Sequence, residues 1–262
     1  MSAPATPRSE NPGWQDGALD ADPALRRAAL YDGALLRLPP TAHSRALADM
    51  ARGFLREALG LHPRTAWARM SPEALFEVLG GVRRKLYLAS TSHELLFGLL
   101  GDIGEDPEAW AFDPARLRVV HPRGEENPLA SAVYAIHRDI WYGHPPGLLT
   151  WWIPLDDVPE GETFAVWPEF LSEPVPNDSE VFDYDDWVAK GWDLKIGWQD
   201  PEAGKNAQYP AFLGDRYDLG HGVGFAAVAN ENRIFAGAHL HGTRSHVAPT
   251  TRFSLDLRLV HL

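Results

Sequence analysis

From residue 116 onward the chain breaks into short apolar or alternating runs bounded by glycine and proline, with no long amphipathic helix between them. The runs are Leu117 to His121, Ala132 to Ile136, Leu148 to Leu155, Phe164 to Trp167, Gly224 to Ala229, Arg233 to Leu240 and Arg252 to Val260. Parallel strands need a crossover of a dozen or more residues, usually a helix, so strands lacking one pair antiparallel. The second half of the chain is therefore expected to be an antiparallel barrel or sandwich and not a doubly wound sheet. Residues 171–222 interrupt the pattern with a long, polar, loop-rich stretch. Insertions of that length in a compact domain usually have a functional reason or are partly disordered.

The first half reads differently. Residues 1–17 are rich in Pro, Ser, Gly and Asn without apolar period and are expected to be a mobile tail. Thr41 can cap a helix on which Leu47, Met50, Ala51, Phe54 and Ala58 share one face, with Gly60 closing it in the left-handed conformation. Ser71 before Pro72 marks a second helix start, and Thr91 with Glu94 has the spacing of a capping box for a third. The expectation is one domain over residues 18–262, mostly helical to residue 115 and mainly β beyond it.

At 262 residues, 45% hydrophobic and 23% charged, the chain can bury a large core. Its formal charge of -12 gives a phosphate backbone little to bind, so nucleic acid is not an expected partner. The basic triplet Arg83, Arg84 and Lys85 reads as a solvated helix face. No run approaches the roughly 20 apolar residues of a membrane span, and the N-terminal stretch lacks the blocks of a signal peptide. No membrane association and a cytoplasmic location are expected. With no cysteine in the sequence, any metal must be held by His, Asp or Glu.

That restriction gives weight to "AVYAIHRDIWYG". On a strand, His137 and Asp139 would project from one face, presenting an imidazole beside a carboxylate. Burying Asp139 behind an apolar run is costly without a partner, and a metal ion would supply one. A third ligand is available from His239, His241 and His246 in "AGAHLHGTRSHVAP", where alternation does not choose between His239 and His241. Arg252 opens the next strand, with Ser254, Asp256 and Arg258 on its face. A buried arginine there needs an anion, and its planar fork fits a carboxylate. Two histidines and one carboxylate leave iron three open positions, enough for a 2-oxo acid and O2. Seven of the ten tryptophans lie between Trp141 and Trp198, so aromatic side chains such as Trp141 and Tyr142 could line a dry pocket around such a metal.

"HRDIWYGHPPGLLTWWIPLDDV", "TFAVWPEFLSEPVPNDS" and "LHGTRSHVAPTTRFSLDLR" together resemble the Fe(II)/2-oxoglutarate-dependent oxygenases, in particular the bacterial branch similar to phytanoyl-CoA dioxygenase. The similarity spans most of residues 130–262. It implies a double-stranded β-helix core of the jelly-roll or cupin-like kind, and Fe(II), 2-oxoglutarate and O2 as cofactor and cosubstrates. It implies His137, Asp139 and His241 as metal ligands and Arg252, assisted by Thr243, as the holder of the distal carboxylate. Trp151 falls near an aromatic position that packs on the cosubstrate. Trp141, Tyr142 and His239 are candidate substrate contacts, His239 standing where relatives carry an amide or a small residue. Because Asp139 fills a position that is small in halogenating relatives, the implied reaction is hydroxylation or another oxidation at C–H of a small molecule, with release of succinate and CO2.

Other signals are weaker. "GHGVG" at 220–224 is too short for a dinucleotide loop. "NDSEVFDYDDW" reads equally as a solvated acidic loop or as a cover that selects the substrate. A jelly-roll binding protein without turnover, or a cupin-like hydrolase or isomerase, are the competing classes. Substrate identity and oligomeric state are not written in the sequence.

Overall fold

The computed structural model describes residues 13–127, 131–191, 210–214 and 217–262. Its elements run β1 (Trp14–Asp16), α1 (Pro23–Tyr31), β2 (Leu35–Leu38), α2 (Ala42–Leu59), α3 (Pro72–Leu88), α4 (Ser90–Asp102), β3 (Trp110–Phe112), β4 (Arg116–Val120), β5 (Leu148–Pro154), β6 (Phe164–Trp167), α5 (Tyr184–Gly191), β7 (Asn232–Ala236), β8 (Leu240–Thr243) and β9 (Arg252–His261). Among the described residues helix, 3-10 turns included, makes up about 40% and strand 23%, so the fold mixes the two classes and is not mainly β. Several expected strands are instead single bridges or short 3-10 turns.

Local chemistry explains the helices. Thr41 accepts from Ser44 N while the Ser44 hydroxyl accepts from Thr41 N, a reciprocal cap, and Gly60 closes α2 at φ 83°. Ser71 caps α3 with Pro72 in its first turn. The capping box expected at Thr91 is absent: α4 begins one residue earlier, at Ser90 after Ala89, with no side-chain cap. The extended residue between α3 and α4 is Ala89, so Thr91 already lies in the first turn of α4 and cannot cap it.

The larger sheet has the order β1-β2-β7-β5-β9-β3, and β4 pairs with β9 beside β3. All its pairings are antiparallel except β1 with β2. Alternation on the two central strands sorts the side chains. Leu149, Trp151 and Ile153 of β5, and Phe253, Leu255, Leu257 and Leu259 of β9, pack with the leucines of α2, α3 and α4 in the main core. Burying each such leucine contributes roughly 1.5–3 kcal/mol. The opposite face carries Trp152 and Phe235, which meet Phe164, Val166 and Phe225 in a second cluster beneath the two-stranded sheet of β6 and β8. The polar residues of β9 also face this side.

Three expectations are corrected here. Residues 1–12 of the expected tail lie outside the described residues, but Trp14–Asp16 form a strand, because Trp14 packs 4.8 Å from the Phe225 ring with the Arg233 guanidinium 4.8 Å above it. The run 224–229 forms no strand, only a bridge from Ala227 to Val158. The run 233–240 is two strands, because residues 237–239 turn the chain and send β8 to the smaller sheet. Within residues 171–222, the structure shows α5 and a closed base: Asn177 bridges Phe212, and Ala211 N donates to Asp178 Oδ1 at 2.6 Å. Phe212 N also donates to Ile136 O at 2.7 Å, tying this segment to the residue before His137. No helix among the described residues is long and apolar enough to cross a membrane.

Candidate active site

His137 and Asp139 do not lie on a regular strand. Ser131–Tyr134 and Asp139–Tyr142 are 3-10 turns, and between them the chain is extended for just long enough to bridge β8. That bridge joins His137 to His241 by two backbone bonds, each N–H donating to the other's carbonyl at 2.9 Å. Arg138 is extended (φ -110°, ψ 137°), so the side chains before and after it point the same way.

The result is a group of three potential ligands, His137, Asp139 and His241, whose ligand atoms all lie within 4.8 Å of one another. His137 Nε2 is 3.6 Å from Asp139 Oδ1, and His241 Nε2 is 4.0 Å from Asp139 Oδ2. The other ring nitrogens are occupied. His137 Nδ1 lies 2.8 Å from Ala135 O, and His241 Nδ1 lies 3.0 Å from His239 O. A carbonyl only accepts, so each Nδ1 carries a proton and each Nε2, directed toward Asp139, is the atom left to ligate a metal. This is the tautomer and orientation a metal requires. Burial, with His137 alongside, lowers the His241 pKa to about 4, which keeps that imidazole neutral. Tyr142 stacks on the His137 ring, centroids 5.0 Å apart.

Asp139 is fully buried. Burial alone would raise its pKa, but the Arg258 guanidinium and the adjacent His137 and His241 imidazoles hold it well below the usual carboxylate range. Arg258 Nη2 donates to Oδ1 at 2.6 Å, and the Thr150 hydroxyl donates to Oδ2 at 2.6 Å. Sequence reasoning gave neither residue this role. The signals were there: Thr150 is the lone polar side chain in "LLTWWI", and Arg258 shares its face with Arg252.

Arg252 is buried at the head of β9, where burial lowers its pKa to about 10. Nη1 donates to Glu162 O at 3.1 Å, and the guanidinium carbon lies 5.8 Å from the centre of the Trp152 ring. Its Nε, and the Ser254 hydroxyl two residues on, have no hydrogen-bond partner among the described residues. Buried polar atoms in that condition call for a water, an ion or a polar ligand to satisfy them. Thr243 follows His241 by two on β8, on the same face of that strand.

Two expected contacts, Trp151 and His239, are placed elsewhere. Trp151 faces the helices, and its Nε1 donates to Asn232 Oδ1 at 2.9 Å; Trp152, on the opposite face, is the tryptophan beside Arg252. His239 does not share a face with His241. It sits in the turn before β8, fully buried, with its ring nitrogens 3.1 Å from Ala236 O and 3.2 Å from Gly33 O, and burial lowers its pKa to about 4. Its contribution to the site is its backbone carbonyl. Trp141 packs with Ile136 and Leu240 in a third cluster, 5.8 Å from the Arg138 guanidinium. His246, the remaining alternative, is buried in a loop with Nε2 3.4 Å from Val120 O.

No protein-family model matches the chain, and no curated protein does. Solved structures do. EvdO2 from Micromonospora carbonacea var. aurantiaca is 15% identical, the match covering 94% of this chain and 92% of that one with a TM-score of 0.52. The same protein complexed with 2-oxoglutarate matches at 14% identity, 94% and 92% coverage and a TM-score of 0.47. The epimerase SnoN, in complex with Fe3+, alpha ketoglutarate and nogalamycin RO, is 15% identical over 91% of this chain and 84% of that one, TM-score 0.47. The first of these establishes a shared fold.

Proposed function

We propose that this chain is a non-haem Fe(II)/2-oxoglutarate-dependent oxygenase, similar to the phytanoyl-CoA dioxygenase-like family, that hydroxylates a C–H bond of a small molecule. One observation carries the reading: two imidazoles and a carboxylate converge, with each Nδ1 bonded to a backbone carbonyl and each Nε2 directed at the acid. Two histidines and one carboxylate, leaving further coordination positions open, are the donor set of non-haem iron oxygenases. The fold shared with EvdO2 and the two sheets support a double-stranded β-helix core in a single domain, which takes in Trp14–Asp16 beyond the expected start at residue 18.

His137, Asp139 and His241 would hold the metal. Arg252 would hold the distal carboxylate of 2-oxoglutarate through its free Nε, with Ser254 and Thr243 as hydroxyl partners, and with Trp152 in place of Trp151 as the aromatic neighbour. When bound, iron and the oxo acid supply the oxidising power: one oxygen atom of O2 enters succinate as CO2 leaves, and the other enters the C–H bond. The chain's own residues orient and exclude water. Tyr142 covers the His137 ring, Trp152, Phe164 and Phe225 close the side beneath the sheets, and the described part of the 171–222 segment, tied through Phe212 to Ile136, would contribute to substrate selection.

Purified protein incubated with Fe(II), ascorbate, 2-oxoglutarate and O2 is expected to release succinate slowly without substrate, and faster with a substrate from a metabolite panel. His241→Ala is expected to abolish both. Succinate formation that persists in that variant, or that is absent from the iron-loaded intact protein under every condition, would overturn the reading.

A further inference from the structure

Arg258 stands six residues beyond Arg252 on the same face of β9 and is buried. Its charge has two carboxylate neighbours. Asp139 Oδ1 is 2.6 Å from Nη2, and Asp256 Oδ2 is 3.7 Å away. Asp256 is already held at 2.8 Å by Arg118, so Asp139 is the principal counter-ion. Two further arms of the guanidinium, Nε and Nη1, have no hydrogen-bond partner among the described residues. His144, Arg116 and Asp113 lie within its field.

This arrangement balances only while the carboxylate belongs to Arg258. A divalent cation on Asp139 draws off that negative charge and places a second cation next to the guanidinium in a dry interior, where unpaired charge is expensive. Dication, carboxylate and guanidinium then sum to two positive charges. A dianionic chelator cancels them, and the free Nε and Nη1 donors raise the local demand for an anion.

We propose that Arg258 couples metal binding to anion binding: it positions Asp139 before a metal arrives, and once a dication shares that carboxylate its guanidinium favours an anionic chelator on the metal. Arg258 is a positioning residue of the site, and Thr150 steadies the other oxygen of the same carboxylate. The inference rests on the oxygenase reading above.

Its test is a linkage measurement on the full chain under anaerobic conditions. Mn2+ is titrated with and without saturating 2-oxoglutarate, free Mn2+ is read by its paramagnetic resonance signal, and the ratio of the two dissociation constants is the coupling. In the native protein 2-oxoglutarate is expected to tighten Mn2+ binding. In Arg258→Met the coupling is expected to fall by about tenfold to a hundredfold, the worth of one charge-assisted hydrogen bond, and Arg258→Lys is expected to keep part of it. Arg258→Gln carries the same expected fall and serves where the Met variant does not fold, as judged by circular dichroism. A folded neutral variant that retains the full native coupling overturns the inference and leaves the oxygenase reading intact. Mn2+ binding in the native protein that 2-oxoglutarate does not tighten overturns both.

Discussion

Asp139 has its chemistry set by immediate neighbours. Without Arg258 and Thr150 a carboxylate at zero exposure would take up a proton, and a protonated acid is a poor metal ligand. Thr150→Val keeps the shape of the side chain and removes one donor. Metal affinity is expected to drop about tenfold to a hundredfold, the usual effect of losing an outer-shell partner, with little change in melting temperature; equal affinity in the variant would show that the hydroxyl does not orient Asp139. The pair His137 and Asp139 was legible from residue type and spacing, because a chain without cysteine has few ways to hold a metal, whereas alternation did not separate His241 from His239 and only the resemblance pointed to it. Which tryptophan faces the site was not legible. Trp151 and Trp152 are both apolar, and only the register of β5 against β7 and β9 assigns one to the helices and the other to Arg252.

The element that assembles the site is β8. It leaves the larger sheet at the turn of residues 237–239, pairs with β6, and takes the 137 segment as its other neighbour through the His137–His241 bridge. That approach needs Gly242: a Cβ there would meet Ile136 Cγ1 at 2.9 Å and Ile136 Cα at 3.3 Å. Gly242→Ala is therefore expected to push the two segments apart and weaken metal binding, while the helical core, remote from the contact, keeps the far-ultraviolet circular dichroism unchanged. Native metal affinity in that variant would mean that the bridge does not set the ligand spacing. Caps and prolines made α2 and α3 readable, because their signals are local. The short strands β1, β2 and β3 were not, since each consists of three or four residues stabilised by partners far away in sequence. The run 132–136 misled for the same reason: Ser131–Tyr134 is a 3-10 turn, and Ile136 is half-buried against the cluster that holds Leu240, a contact periodicity does not register.

At the scale of the whole molecule, the metal-free protein carries its polar centre as a set of pH-sensitive groups. His121, His144, His239 and His241 each have the pKa lowered to about 4, in every case first by burial. Between about pH 6.5 and 4 the unfolded chain binds protons at these residues that the folded chain does not, so stability is fully present above about 6.5 and is lost as pH falls through 4. Approach to the isoelectric point near 5.3 relieves some self-repulsion, but proton uptake by several buried histidines outweighs it. Urea midpoints of the metal-free protein are expected to decline from pH 7 to pH 5, more steeply than a single histidine allows; a flat profile would contradict this. Saturating Mn2+ is expected to raise the midpoints at pH 7 without flattening the decline, because the unfolded chain still takes up the protons and a metal-bound histidine cannot. The measurement that tests the central claim most directly is the visible absorption of the anaerobic protein with Fe(II) and 2-oxoglutarate. The account predicts a weak charge-transfer band of the iron chelate, lost in His241→Ala and weakened in Arg252→Ala. Iron bound at stoichiometry with no such band on addition of the oxo acid would contradict it.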